Sequence, residues 1–138
     1  MWKMYALLSA LFAALTAIFA KIGVKDVNSN VATAIRTVVI LFITWGIVLV
    51  GGQLGDIKYL PRNTWIFLIL SGVATGLSWL FYFKAIQLGE VSRVAPIDKL
   101  SVVITICLSC LFLGEHLTPR IILGGLLIAA GSIVMVLK

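Results

Sequence analysis

Long apolar runs, separated by short links that contain glycine, proline or charged residues, make up most of the chain. Each run approaches the roughly 20 residues that an α-helix needs to cross about 30 Å of hydrocarbon. We therefore predict transmembrane helices, called spans one to five, at about residues 2–22, 31–52, 63–83, 94–113 and 119–137. These helices use nearly all of residues 1–138 and leave no link long enough for a soluble domain, so we predict a single all-α transmembrane domain.

Capping residues refine the ends of the predicted helices. Thr118 and Pro119 are typical of an N-cap followed by the first helical position of span five. Gly89 is a candidate for the residue just beyond the helix of span three. In span four Ala95 is the predicted N-cap, which places Asp98 in the first helical turn. A carboxylate there is stabilised by the positive end of the helix dipole, by about 0.3–1 kcal/mol.

Polar residues inside the spans recur at spacings of three and four residues, which place them on one face of a helix. The longest of these stripes are Ser71, Thr75, Ser78 and Tyr82 in span three, and Asp98, Ser101, Thr105 and Ser109 in span four. Spans one and two carry similar stripes. Either the stripes line a polar cavity, or their hydroxyl groups bond to carbonyls of their own helix and hold neighbouring helices together. Because four spans carry a stripe, we favour a cavity.

Span five differs, because one of its faces carries small residues. Gly125 and Ala129 lie four residues apart on that face. Such a pair allows another helix to approach closely. We predict that this face serves helix packing, either within the chain or in a dimer.

The composition supports a membrane environment. The chain is 62% hydrophobic and 12% charged, whereas soluble domains contain about 25% charged residues. Its net charge of +6 comes from basic residues that are scattered near the ends of the apolar runs. This distribution is typical of contacts with lipid headgroups and lacks the basic patch that nucleic-acid binding requires. We expect membrane lipids as partners and no nucleic acid.

Basic residues that flank the spans divide almost equally between the two membrane faces. The N-terminal side carries Lys3, Lys58, Arg62 and Arg120, and the opposite side carries Lys21, Lys25, Lys84, Arg93 and Lys138. Four against five gives almost no bias, so the positive-inside rule selects neither orientation. A chain that inserts both ways can form an antiparallel homodimer or pair with an oppositely oriented homologue. A fixed orientation set by other features is a third alternative.

The sequence offers little support for an enzyme or a metal protein. Cys107 and Cys110 fall inside the apolar span four, where small hydrophobic side chains are the simpler interpretation. A structural zinc site needs four ligands, and His116 is the only histidine. Since no set of nucleophile and base and no phosphate-binding loop appears, we expect no catalytic residues, no cofactor and no metal.

The run LFLGEHLTPRIILGGLLIAAG at residues 111–131 resembles the signature of the EamA domain of the drug/metabolite transporter superfamily. The run FYFKAIQLGEVSRVAPI at residues 81–97 is similar to the hairpin between spans three and four of that family. Arg36 matches a recurrent basic residue early in span two. The resemblance covers essentially the whole chain and implies one five-span unit of the bacterial and archaeal type. Full-length members carry two inverted units, so it also implies half of a ten-helix dimer, with spans one to four around a central cavity.

The residues predicted to face that cavity are Arg36, Ser78, Tyr82, Asp98 and Thr105, with Lys99 and Trp79 as further candidates. Arg36 either meets a substrate carboxylate through paired hydrogen bonds or anchors its span to headgroups. Asp98 either faces the cavity, where it is a candidate for carrying a coupling proton, or caps its helix. Lys99 lies about 100° further round the helix, so we expect the two to point in different directions.

Two departures from relatives bear on function. Span one contains no acidic residue, so the proton-coupled chemistry of the small multidrug and guanidinium exporters, which use a glutamate there, does not carry over. Asp98 and Lys99 stand where many EamA units have an apolar or Ser-Pro stretch. We predict a secondary transporter, exporting or importing small polar metabolites such as amino acids, that works by alternating access as an antiparallel dimer in the inner membrane of a prokaryote. The alternatives are a subunit of a lipid-linked sugar flippase and a membrane scaffold that transports nothing.

Overall fold

The computed structural model describes residues 1–137, so Lys138, one of the flanking charges, lies outside the described residues. The helices of the described part are α1 (Trp2–Gly23), α2 (Ser29–Val50), a 3₁₀ helix (Gln53–Tyr59), α3 (Arg62–Leu88), α4 (Val91–Asp98), α5 (Leu100–Leu113) and α6 (Pro119–Val136). Five segments of the described chain are long and apolar enough to cross a membrane: α1, α2, α3, α4 with α5, and α6. The predicted all-α fold with five transmembrane helices is confirmed.

Most large apolar side chains face outward. Phe42 and Phe81, for example, are each 73% exposed. An apolar surface of this extent is unfavourable in water and is the surface that a protein presents to lipid. The exposed side chains therefore support the membrane assignment independently of the helix lengths.

The third and fourth spans meet through a shorter link than the sequence indicates. Helix α3 continues to Leu88, and α4 begins at Val91. The carbonyl of Glu90, the N-cap residue of α4, accepts hydrogen bonds from the backbone N–H groups of Arg93 and Val94 at 3.0 and 2.9 Å. This helix therefore starts five residues before Ala95, with Glu90 as its N-cap.

Pro96 lies inside α4, and the helix is interrupted soon after it, at Lys99. The N–H of Lys99 is shared between the carbonyls of Ala95 and Pro96, at 3.3 and 3.1 Å, which is a tightened last turn. A proline inside a helix removes one backbone hydrogen bond and favours such a break. The prediction that Ala95 caps this helix is wrong, and Asp98 lies at the end of α4 instead of in a first turn.

The described residues form two compact units, one of Ala20–Gln87 and one of Met1–Phe19 together with the chain from Leu88 onward. In the latter unit α6 packs against α4 and α5. Gly125 is buried, and a methyl group placed on it would lie 3.4 Å from Cδ1 of Ile106 on α5. Ala129 is half-buried on the same helix. The small face of α6 thus meets a neighbouring helix of the same chain.

In the unit Ala20–Gln87, side chains bond to carbonyls at helix ends. Lys21 Nζ donates to the carbonyl of Ile86 at 2.8 Å. Gln87 Nε2 donates to the carbonyls of Val24 and Val27 at 3.1 and 2.8 Å. Ile86 lies in the last turn of α3, where a carbonyl has no partner within the helix, and Val24 and Val27 lie in the link between α1 and α2. They hold the C-terminal end of α3 beside the link between α1 and α2.

Candidate functional site

Arg36 of α2 lies against two aromatic rings of α3. Its Cζ atom is 4.3 Å from the centroid of the Phe83 ring and 5.1 Å from that of the Trp79 ring. Trp79 and Phe83 are four residues apart and therefore share one face of α3. Both distances fall within the roughly 6 Å over which a cation is attracted to a ring face, an interaction that contributes about 0.5–2 kcal/mol. These ring contacts hold the guanidinium in place without forming hydrogen bonds to its N–H groups.

One nitrogen of that guanidinium is buried and unpaired. Nη1 of Arg36 has no hydrogen-bond partner among the described residues. A buried polar group without a partner costs about 1–3 kcal/mol, and more when it is charged. A carboxylate is the group that satisfies a guanidinium best, because its two oxygens match the fork of N–H donors. A carboxylate that contacted this guanidinium would satisfy the donor that the described residues leave unpaired.

Tyr82 contacts this arrangement on α3, and Ser78 precedes Trp79 in the same helix. The Tyr82 ring meets the Phe83 ring edge to face, with centroids 6.1 Å apart, and Tyr82 is half-buried. Ser78 is exposed, next to Trp79 in the chain. The polar stripe favoured Tyr82 over Trp79 as a cavity residue, whereas the structure places Trp79 at the guanidinium and Tyr82 one ring further away.

Asp98 and Lys99 form an ion pair with each other. Lys99 Nζ lies 3.5 Å from Oδ2 of Asp98, and the two side chains are 57% and 37% exposed, respectively. The charged ends of the two side chains therefore meet, although adjacent positions lie about 100° apart round a helix. A pair as exposed as this contributes little stability, about 0–1 kcal/mol.

The break also divides the predicted stripe of span four. Asp98 belongs to α4 and Thr105 to α5. The rotation of about 100° per residue that holds within one helix therefore does not predict the angle between their side chains. Within α5 the half-buried positions include Ile106 and Ser109, whereas Thr105 is exposed, although it lies on the same helix face as Ser109. Thr105 therefore stays a candidate within the part of the stripe that α5 carries, Ser101, Thr105 and Ser109, and only Asp98 is separated from it by the break.

Several hydroxyl groups of the predicted stripes bond to their own helices. The donors are Thr33, Thr37, Thr44, Thr75 and Ser109, and the acceptors are backbone carbonyls three or four residues earlier, at 2.8–3.1 Å. This is the alternative to a cavity that the sequence left open. Among the described residues, Ser78 and Thr105 form no such bond.

Phe83 is the site residue that the sequence reasoning missed. It is an apolar residue in an apolar span, and its 1% exposure could not be read from the pattern. The available signal was its spacing, four residues after Trp79, which predicts that two aromatic rings share one face.

No group of three or more histidine, cysteine, aspartate or glutamate side chains within residues 1–137 is arranged to hold a metal ion. Cys107 and Cys110 are both exposed on α5 and form no disulfide. The candidate site thus consists of the Arg36 guanidinium, the rings of Trp79 and Phe83, and the neighbouring Tyr82.

These features define a multi-pass membrane protein with a half-buried arginine against two aromatic rings. Residues 1–137 match the EamA-like transporter family, and the chain belongs to that family. It is 54% identical over 134 residues to the protein named "Uncharacterized transporter in cobO 3'region" of Sinorhizobium sp., an alignment that covers 97% of this chain and 95% of that protein. No solved structure matches the chain. The resemblance found in the sequence is confirmed, and transport is the general function that the family assigns.

Proposed function

We propose that this protein is a secondary transporter of small polar metabolites that carry an anionic group, amino acids and related compounds among them. The surroundings of Arg36 support this substrate class. Its guanidinium lies against Trp79 and Phe83, and its Nη1 atom is buried without a hydrogen-bond partner among the described residues. Charged groups inside membrane spans are costly, and they mark substrate and ion pathways in many transporters. The family and the related transporter support the general function.

The chemistry of recognition follows from the surroundings of Arg36. Aromatic rings on the guanidinium exclude water from its faces, and hydrogen bonds are stronger in a medium of low dielectric constant. A carboxylate would bind edge-on to the guanidinium, while Tyr82 and Ser78 offer hydroxyl groups nearby on α3. Selectivity would then come from one charge-assisted contact and a small number of neutral polar contacts.

We also propose that two copies work as an antiparallel dimer in the inner membrane of a prokaryote. The Sinorhizobium relative is of nearly the same length, so it too has room for one five-span unit. An odd number of spans puts the termini on opposite sides, and the flanking charges favour neither orientation. Two oppositely inserted copies would reproduce the inverted repeats on which alternating access is based.

Uptake by proteoliposomes tests the proposed function. A panel of radiolabelled amino acids and organic acids should reveal at least one saturable substrate for the wild type. Arg36→Gln should lower its uptake tenfold or more, because a guanidinium–carboxylate contact of about 1.5–3 kcal/mol is lost. Arg120→Gln, at the exposed start of α6, is the matched control and should transport normally. Normal uptake by Arg36→Gln would refute the assignment, and correctly assembled protein without any flux would favour the scaffold alternative.

A further inference from the structure

A cavity of ≈ 580 Å³ lies between the C-terminal half of α2, the 3₁₀ helix and the beginning of α3. It belongs to the unit Ala20–Gln87. Trp45, nine residues after Arg36 on α2, contributes to its lining. At about 1.5 Å per residue the two residues are roughly 13 Å apart along the helix axis. The cavity is therefore separate from the arginine site.

The link between α2 and α3 shapes this cavity. Helix α2 ends at Val50 with Gly51 as its C-cap, and Gly52 has a φ of 68°, in the left-handed region that glycine adopts without strain. The chain then turns into the 3₁₀ helix Gln53–Tyr59, and Pro61 precedes α3. As a result Gln53 and Asp56 of the link line the same cavity as Trp45 and Trp65 of the membrane helices.

The lining has a defined chemical character. Two tryptophans and four aliphatic side chains provide an apolar wall, and Asp56 is the one charged residue among the lining residues. The ion pairs formed within the described residues join Glu90 to Arg93 and Asp98 to Lys99, so the Asp56 carboxylate takes part in neither. An anionic carboxylate with tryptophan rings around a common cavity is complementary to an organic cation, since tryptophan has the ring that attracts cations most strongly.

We propose that this cavity binds an organic ammonium ion with an apolar body, through the Asp56 carboxylate and the rings of Trp45 and Trp65. Its volume falls within the 300–1,000 Å³ that is usual for small-molecule sites. A phospholipid headgroup is the less suitable occupant, because the lining offers no lysine or arginine to its phosphate. Membership of the interfacial aromatic belt accounts for tryptophans near helix ends but not for a carboxylate beside them that forms no ion pair within residues 1–137.

Calorimetric titration of the full chain in dodecyl maltoside micelles with benzyltrimethylammonium tests this proposal. Saturable binding is expected, and benzyl alcohol, which keeps the ring without the charge, should bind at least tenfold more weakly. Asp56→Asn should weaken benzyltrimethylammonium binding tenfold or more. Asp26→Asn, which removes an exposed carboxylate from the link between α1 and α2, is the matched control and should leave it unchanged.

A second pair of variants tests the site without altering its charge. Trp65→Phe keeps an aromatic ring and Trp65→Leu does not, so affinity should fall in the order wild type, Trp65→Phe, Trp65→Leu. Arg36→Gln should bind the probe like the wild type, which separates this proposal from the transport site. Equal affinity of the wild type and Asp56→Asn would overturn the proposal, as would equal affinity for the probe and benzyl alcohol. Displacement of the probe by phosphatidylethanolamine would assign the cavity to a lipid and would overturn it as well.

Discussion

At the scale of single residues, the position of Arg36 follows from opposing physical demands. A guanidinium in a membrane span is costly unless its surroundings compensate for the charge. Phe83 and Trp79 provide part of that compensation through their ring faces, and the buried Nη1 is left for an anionic partner. The rarity of charges inside the spans made Arg36 a candidate from the sequence, but nothing in an apolar run distinguishes Phe83 from its neighbours.

The ring of Phe83 is open to direct test. Phe83→Leu keeps a large apolar side chain and removes the ring, so substrate affinity should fall by about 2- to 30-fold, the equivalent of about 0.5–2 kcal/mol. The measurement is the KM of uptake in proteoliposomes. Phe81→Leu, at a position that is 73% exposed on the same helix, is the control and should leave KM unchanged. An unchanged KM in Phe83→Leu would mean that the ring does not support the substrate site.

At the scale of helices, the sequence predicted which segments cross the membrane but not how they begin, break and connect. The length of a hydrophobic run is by itself enough to predict a transmembrane helix. The start of α4 before Pro96 and the interruption at Lys99 depend on which backbone hydrogen bonds form, and a proline is compatible with either a helix start or a helix interior.

Lys21 shows how a residue counted as a topological charge also holds two helices together. Its Nζ donates to the carbonyl of Ile86, which is fully buried at the end of α3. Lys21→Met should lower the stability of the protein by roughly 1–3 kcal/mol, because it leaves that carbonyl without this donor. Thermal unfolding in micelles provides the measurement, with Lys25→Met, an exposed lysine of the same region, as the control. Equal unfolding midpoints of the two variants would contradict the proposed role.

At the scale of the whole molecule, one five-span unit and balanced flanking charges lead to the proposed antiparallel dimer. The fold class and the family were predictable from the sequence, because apolar runs and the run at residues 111–131 are local features. The aromatic surroundings of Arg36 and the cavity at Asp56 were not, since both join segments that are distant in the chain.

Accessibility of tags at both termini tests the dimer. If the chain inserts in both orientations, each terminus should be labelled by an impermeant reagent on about half of the molecules, from either side of the membrane. Adding two lysines to the link between α1 and α2 should shift the population to one orientation and reduce transport, because basic residues set topology. A single fixed orientation of the unmodified chain would contradict the homodimer and favour an oppositely oriented homologue as the partner.

The contact between Arg36 and a substrate carboxylate is the central claim. Its most direct test compares a transported amino acid with its amide, in the wild type and in Arg36→Gln, by competition for uptake. If the two groups meet, loss of the carboxylate should weaken binding to the wild type by tenfold or more and binding to Arg36→Gln hardly at all, since the partner is already missing. Equal losses in the wild type and in Arg36→Gln would show that the carboxylate binds elsewhere and would contradict the account.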